Sequence, residues 1–509
     1  MLNHRAYLFI LFSFFVVLSS WIRWYSTETL KADENFILES NVSLWSCVFF
    51  YHIGIFGMMY ILYQIVCQKP NYKISKVQTI KISLFSMFLF FLMTVMFASD
   101  IYTYLAEGEL WTRGIFTYTN GELIKQSRFI EYVSDWWKDC PNHYGAPLLF
   151  LFGISCYFGH TIFKSYVFFK LLIFFIGLML LYVVSKLEST IYKSQYNFFA
   201  LIVLSPILMI EGIGQAHAEI VITLLLAATM LAMHHKKIFL AAIFIGIAIA
   251  CKILYIVILL PLFLSLIYVY NKSEQSNWKT KVKDLVISLG LIALVIFISY
   301  IPIWQGIETI TNPIAYHGTK TPSRSYTEIL ILFHRYWSDI VQNGANITEL
   351  IKRAQMPNFL PVSKVLYLKD KIAPFFAWFG LVLAAWNLLP LIRAEKVNSV
   401  YYYFAKLWII IIVIYSPIFN PWYFMPILML MFYHRKSSWI FYLVFVTSLS
   451  INYQIGNTTP PDSVLNVLVS VNMVLMLVMF LYKFKTHFIA EPYHELKIIA
   501  SKLPFINKQ

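Results

Sequence analysis

In the stretch SDIYTYLAEGELWTRGIFTY, residues 99–118, Asp100, Tyr104, Glu107 and Trp111 follow one another at steps of four, three and four residues. On a helix over 100–113, closed by Gly114 as a C-terminal cap, that spacing puts two carboxylates and two aromatic rings on one stripe. A carboxylate placed where an apolar run gives way to water is a candidate general base, and the rings would flank whatever it acts on. An interfacial helix, with acids in water and rings at headgroup depth, has the same pattern.

Further candidates stand at breaks between apolar runs. In LSPILMIEGIGQAHAE, Pro206, Gly212 and Gly214 interrupt helical regularity beside Glu211, His217 and Glu219. Two acids and an imidazole suit a sugar or ion pocket; a polar turn between two short helices is the plainer reading. Lys252, in AIACKILY, has apolar residues on both sides. It marks either a break between short helices or the middle of a longer buried one, and in both cases it needs an anionic partner, an acid or a lipid phosphate. Snorkelling to an interface is the alternative.

In FNPWYFMP a helix break presents Trp422 and Tyr423, for stacking on a sugar or for anchoring in the aromatic belt. His143 and Tyr144 end a polar loop that begins at Thr117, and loops of about thirty residues inside a compact array usually carry function. Arg324, in HGTKTPSRSY, has the planar fork that suits a phosphate, or is a solvated loop arginine. Glycine-rich phosphate loops, a serine nucleophile elbow, HExxH and paired metal-ligand cysteines are absent, which leaves ATP-driven, hydrolase and zincin readings without support.

The elements that must position these groups are transmembrane helices. Of 509 residues, 59% are hydrophobic and 13% charged, and apolar runs recur from end to end, as in an all-α polytopic membrane protein. The net charge of +15 lies in short loops between those runs, so it reads as positive-inside topology and not as a nucleic-acid surface. Cys47, Cys67, Cys156 and Cys251 sit in or beside apolar runs and only Cys140 in a polar loop, with no disulfide framework. The run 7–24 lacks a small-residue cleavage site and reads as a transmembrane helix, not a signal peptide.

Basic loops place both termini in the cytoplasm and Asp100, after the run 80–98, on the outer face. The run 146–158 is too short to cross and reads as a half-helix dipping in from outside; 163–185, 197–211, 219–233, 238–251, 253–270 and 285–304 alternate correctly with the basic loops. A second outer segment, 305–371, carries His317, Arg324, His334, Arg335 and Arg353, and five more runs follow at 372–392, 403–418, 422–433, 439–451 and 464–482. The expectation is a bundle of about fourteen crossings with one half-helix and two outer loops carrying interfacial helices.

These motifs resemble the GT-C superfamily of integral-membrane glycosyltransferases, specifically the bacterial branch of polyprenyl-phosphate-mannose-dependent mannosyltransferases. SDIYTYLAEGELWTRGIFTY is similar to that branch's Asp followed by an aromatic-rich amphipathic helix, and YGAPLLFLF to its Tyr-Pro-rich short helix. SPILMIEGIGQAHAEIVITLLLAATMLAMHHKKIFLAAIFIGIAIACKILYIVILLP resembles its series of Pro, Glu, Gly, His-x-acid, basic turn, Gly and Lys, and FNPWY its Trp-Tyr motif. The likeness covers residues 80–433. Ser205 stands where Asn is usual and Glu219 where Asp is common, and two spans precede the core.

The resemblance implies a GT-C-like organisation: two helices in 1–79, a catalytic core over 80–304 with its first outer loop at 99–145, a second outer loop over 305–371, and C-terminal helices with a short cytoplasmic tail in 372–509. It implies inverting transfer of a hexose, mannose foremost, from a polyprenyl-phosphate carrier to a lipid- or glycan-linked acceptor hydroxyl at the outer face of a bacterial inner membrane. Asp100, with Glu107, would be catalytic, and Lys252 and Arg324 would hold the donor phosphate. Tyr104, His143, Tyr144, Glu211, His217, Glu219, Trp422 and Tyr423 would line the sugar and acceptor sites. The missing Asp-x-Asp pair leaves a divalent cation undecided, and no other cofactor is implied. An O-antigen polymerase or ligase, with essential residues in 317–353, and a secondary transporter or flippase coupled through Glu211, Glu219 and Lys252 are the competing classes.

Overall fold

The computed structural model describes residues 4–27, 41–67, 74–94, 100–134, 137–191, 198–273, 277–319, 379, 381–388, 397–412 and 421–431. Among them there is no strand. In chain order the helices are α1 (His4–Thr27), α2 (Asn41–Cys67), α3 (Lys76–Phe91), α4 (Asp100–Thr112), α5 (Ala146–Gly159), α6 (Ile162–Ile191) and α7 (Phe198–Val203). After them come α8 (Glu219–His234), α9 (Ile238–Cys251), α10 (Ile256–Ser273), α11 (Trp278–Tyr300), α12 (Glu308–Thr319), α13 (Val397–Ile410) and α14 (Met425–Leu430). Short 3-10 turns lie at Gly121–Gln126, Ile130–Tyr132, Ile253–Tyr255 and Pro421–Phe424, and a π-helical segment at Leu208–Gly214.

Four helices among the described residues are long and apolar enough to cross a membrane: His4–Trp24, Ile162–Thr190, Ile253–Lys272 and Trp278–Ile303. Leu208–Gly214 and Glu219–His234 make a fifth if taken as one span, bent by 116° at its break. The expected runs 439–451 and 464–482, and most of 305–371 and 372–392, lie outside the described residues.

α1 packs along α2, α4 along α5, and α8 is sheathed by α6, α9 and α14, while α9 also packs on α11. A segment that crosses lipid must be helical, because no water is present to satisfy an open backbone. α5, 14 residues long with Pro147 in its first turn, is the short apolar helix that the run 146–158 leads one to expect.

α3 departs from expectation. Its capping box is formed by Ser75 and Gln78, yet it ends at Phe91 although the apolar run continues to Ala98. Outside groups satisfy its end. The Thr94 amide donates to Ser20 Oγ at 3.2 Å and the Thr94 hydroxyl to the Ser20 carbonyl at 2.9 Å, both on α1. The Lys170 ammonium, on α6, donates to the carbonyls of Phe90 and Met93. A helix whose last carbonyls have such partners can stop inside an apolar sequence.

α4 ends as the sequence suggests: Gly114 has φ +72°, the left-handed conformation that glycine adopts without a Cβ penalty. Lys252 resolves the two readings of AIACKILY in favour of a break. It is extended, with φ −155° and ψ 101°, between α9 and the turn Ile253–Tyr255 that leads into α10. The polar loop docks on that break. The Gly145 amide donates to the Cys251 carbonyl at 2.9 Å, and a Cβ on Gly145 would lie 1.7 Å from the Ala250 carbonyl oxygen.

Candidate active site

Five interruptions of helix meet in one buried cluster: the start of α4, the bent stretch from Leu208 to Glu219, the extended Lys252, the loop end at His143 and Tyr144, and the turn Pro421–Phe424. Each frees side chains to converge where a continuous helix would fan them outward. The π-helical segment LMIEGIG, with its two glycines, carries Glu211 inward, and such segments recur at functional sites. Ala216 then takes φ +57°, which costs an L-residue about 1 kcal/mol or more, and the His217 amide donates to the Glu211 carbonyl at 3.0 Å. This turn aims the imidazole back at the acids.

Asp100 is only 7% exposed. Its Oδ1 accepts the indole N–H of Trp137 at 3.1 Å, and its Oδ2 lies 3.8 Å from His217 Nδ1. The Tyr104 hydroxyl is closer to that nitrogen, at 3.2 Å. On the far side of the ring, Nε2 lies 3.1 Å from Glu211 Oε2, and the Trp422 ring covers the imidazole face with centroids 3.7 Å apart and planes at 19°. Glu211 and His217 are wholly buried.

Lys252 and Glu219 form the second half. Nζ is 3.3 Å from Glu219 Oε1, and it faces the rings of Tyr423 and Tyr144 at 5.0 and 5.5 Å. An ammonium taken out of water is held by the carboxylate and by two ring faces. Tyr104 and Tyr144, edge to face at 5.2 Å, lie within electrostatic reach of both Asp100 and Glu219 and so join the halves. His143 packs at 3.9 Å on Tyr144 and at 5.6 Å on Trp137. The Tyr118 hydroxyl donates to the Tyr144 carbonyl, and the Tyr144 amide donates to Asn142 Oδ1 at 2.9 Å, which fixes the end of the loop.

Ten of the residues singled out in the sequence thus meet: Asp100, Tyr104, His143, Tyr144, Glu211, His217, Glu219, Lys252, Trp422 and Tyr423. Glu107 is placed apart. It shares the stripe of Asp100 but stands roughly 10 Å further along the helix axis, seven residues at the usual rise. There both carboxyl oxygens accept from the Thr117 hydroxyl, at 2.9 and 2.7 Å. Burial pushes its carboxyl up to about 8, against the opposing pull of that hydroxyl. Trp111 is half-exposed and meets Phe150 edge-on at 6.2 Å. Arg324 lies outside the described residues. Trp137, in the same polar loop as His143 and Tyr144, is the partner of Asp100 that its sequence context does not assign to the site; an indole in a polar loop carries no signal that distinguishes an acid's partner from a membrane anchor.

Among the described residues no group of three or more His, Cys, Asp or Glu side chains is arranged to hold a metal ion. Acids, an imidazole and an ammonium kept at the breaks of apolar helices are the kind of costly groups that mark functional sites in integral membrane proteins. Residues 8–269 match a family model described as alpha-(1->6)-mannopyranosyltransferase, N-terminal domain, and the chain belongs to that family, MptA_B, a GT-C mannosyltransferase family. The match takes in the cluster from Asp100 to Lys252 and stops before Trp422. No curated protein and no solved structure matched.

Proposed function

We propose that this protein transfers a mannosyl group, with inversion, from a polyprenyl-phosphate carrier to an acceptor hydroxyl at the outer face of the membrane. The observation that carries the reading is a carboxylate and an ammonium set in one buried aromatic cluster, Asp100 held by Trp137 and Lys252 held by Glu219, with Tyr104 and Tyr144 between them. Asp100 removes the acceptor proton as its oxygen attacks the anomeric carbon. The bond from that carbon to the phosphate oxygen breaks with its electron pair going to the phosphate. Lys252 offsets the charge that develops there. The driving force is the carrier's phosphodiester, so no nucleotide is needed.

The sequence's basic loops support an outer-face site, and the surrounding apolar helices support a lipid-borne donor. Purified protein in nanodiscs, given a panel of radiolabelled polyprenyl-phosphate sugars, is expected to move label from the mannosyl donor to a lipid or glycan acceptor. The absence of both turnover and binding with every such donor would overturn the proposal, and substrate flux in proteoliposomes would then favour a transporter.

A further inference from the structure

Glu211 is wholly buried, and neither of its carboxyl oxygens has an aligned hydrogen bond among the described residues. Its near contact is His217 Nε2 at 3.1 Å, off the hydrogen-bond axis. A carboxylate taken out of water with so little support is costly, and the ring beside it is the group placed to carry a compensating charge. Opposite an ionised Glu211, which can only accept, the ring hydrogen belongs on the Nε2 that faces it even off the ideal axis, and the Nδ1 lone pair is left facing the Tyr104 hydroxyl and Asp100. The groups facing the ring are Asp100 and Tyr104 from α4, Glu211 from the π-helical segment, Glu219 from α8 and Trp422 from the Pro421–Phe424 turn, and Tyr51 of α2 lies within electrostatic reach of Glu211.

We propose that Glu211 and His217 form a proton store behind Asp100. The idea rests on Asp100 being the base. The acceptor proton passes to the Asp100 carboxylate and, as that carboxyl closes the 3.8 Å to His217 Nδ1 and the Tyr104 hydroxyl turns off that lone pair, on to the ring, which gives an imidazolium whose Nε2–H faces the Glu211 anion. The buried pair goes from a charge of minus one to zero, and Asp100 returns to its ionised form. When the products separate, the proton goes back through Asp100 to the departing phosphate monoester or to water, so no proton is gained or lost by the protein over a turnover.

His217 and Glu211 are positioning and proton-holding residues, tested by kcat–pH profiles of His217→Gln and Glu211→Gln beside the parent and Asp100→Asn, with donor affinity measured directly. The expected result is that the parent profile shows one ionisation that His217→Gln lacks, with kcat down about a hundredfold and donor affinity within threefold. Glu211→Gln keeps the ionisation but displaces its midpoint by a unit or more, since a charge within a few ångströms moves an ionisation by that much. Added imidazole is expected to restore part of the turnover of a His217→Ala protein. Profiles of the same shape in parent and variants, with losses confined to affinity or to folded yield, would overturn the proton store and leave Asp100 as base. Full turnover by Asp100→Asn would overturn the base itself.

Discussion

Removing the Lys252 ammonium should expose how much of the site is held by one ion pair. Lys252 and Glu219 are 5% and 1% exposed, and their charged atoms are 3.3 Å apart. At an effective dielectric constant of about 20 that separation corresponds to roughly 5 kcal/mol of attraction. Much of it is offset in the native state by the cost of taking both charges out of water, so replacing the pair together is nearly neutral, whereas removing one partner strands the other. Glu219 Oε2 has no hydrogen-bond partner among the described residues to soften that loss. Lys252→Met is therefore expected to destabilise the protein by about 3–5 kcal/mol, and the double variant Lys252→Met with Glu219→Gln by less than the single one. Urea titration in mixed micelles, followed by tryptophan fluorescence, gives both numbers. A Lys252→Met protein within about 1 kcal/mol of the parent, with the two substitutions simply additive, would refute the pairing.

Three smaller tests address the frame. Glu107, pushed to about 8 from an ordinary 4.5, keeps a proton when folded that it loses when unfolded. Stability should therefore fall between about pH 5 and 8 and be lower above that window, by on the order of a few kcal/mol, and Glu107→Gln should flatten that part of the stability–pH curve. Gly145→Ala would set a methyl 1.7 Å from the Ala250 carbonyl and push the loop end off the Lys252 break; about a hundredfold loss of kcat in a folded protein is expected from steady-state assay, in line with a displacement of about 1 Å. Thr94→Val removes the donor to the Ser20 carbonyl and should cost about 1 kcal/mol in the same urea titration.

Much of the helix placement is legible from hydropathy: the run 238–251 is α9, and 219–233 is α8 to within a residue, although at 14 and 16 residues each is shorter than the helices long enough to cross a membrane. What hydropathy does not carry is where a helix stops for reasons supplied by other helices. α3 ends short of the apolar run's end because Ser20 and Lys170, 74 and 77 positions away in sequence from their partners, satisfy its last polar groups. The cluster was legible for a related reason: a charge among apolar residues is conspicuous, so Glu211, Glu219 and Lys252 announce themselves. Helical spacing alone does not set the level of Glu107, since a shared stripe is not a shared position along the axis. Pro206, Gly212 and Gly214 signal the break, but not its 116° angle nor the pairing of acid to base that it allows, Lys252 with Glu219 and His217 with Glu211.

The most direct measurement of the central claim is single-turnover mannosyl transfer by Asp100→Asn, with donor and acceptor affinities measured on the same preparation. Asn keeps an oxygen for the Trp137 indole to donate to, so the fold and the binding surfaces should persist. The account predicts affinities within a few-fold of the parent and a chemical step slower by a hundredfold or more. A variant that binds and transfers at the parent rate would contradict it and move the base to another group.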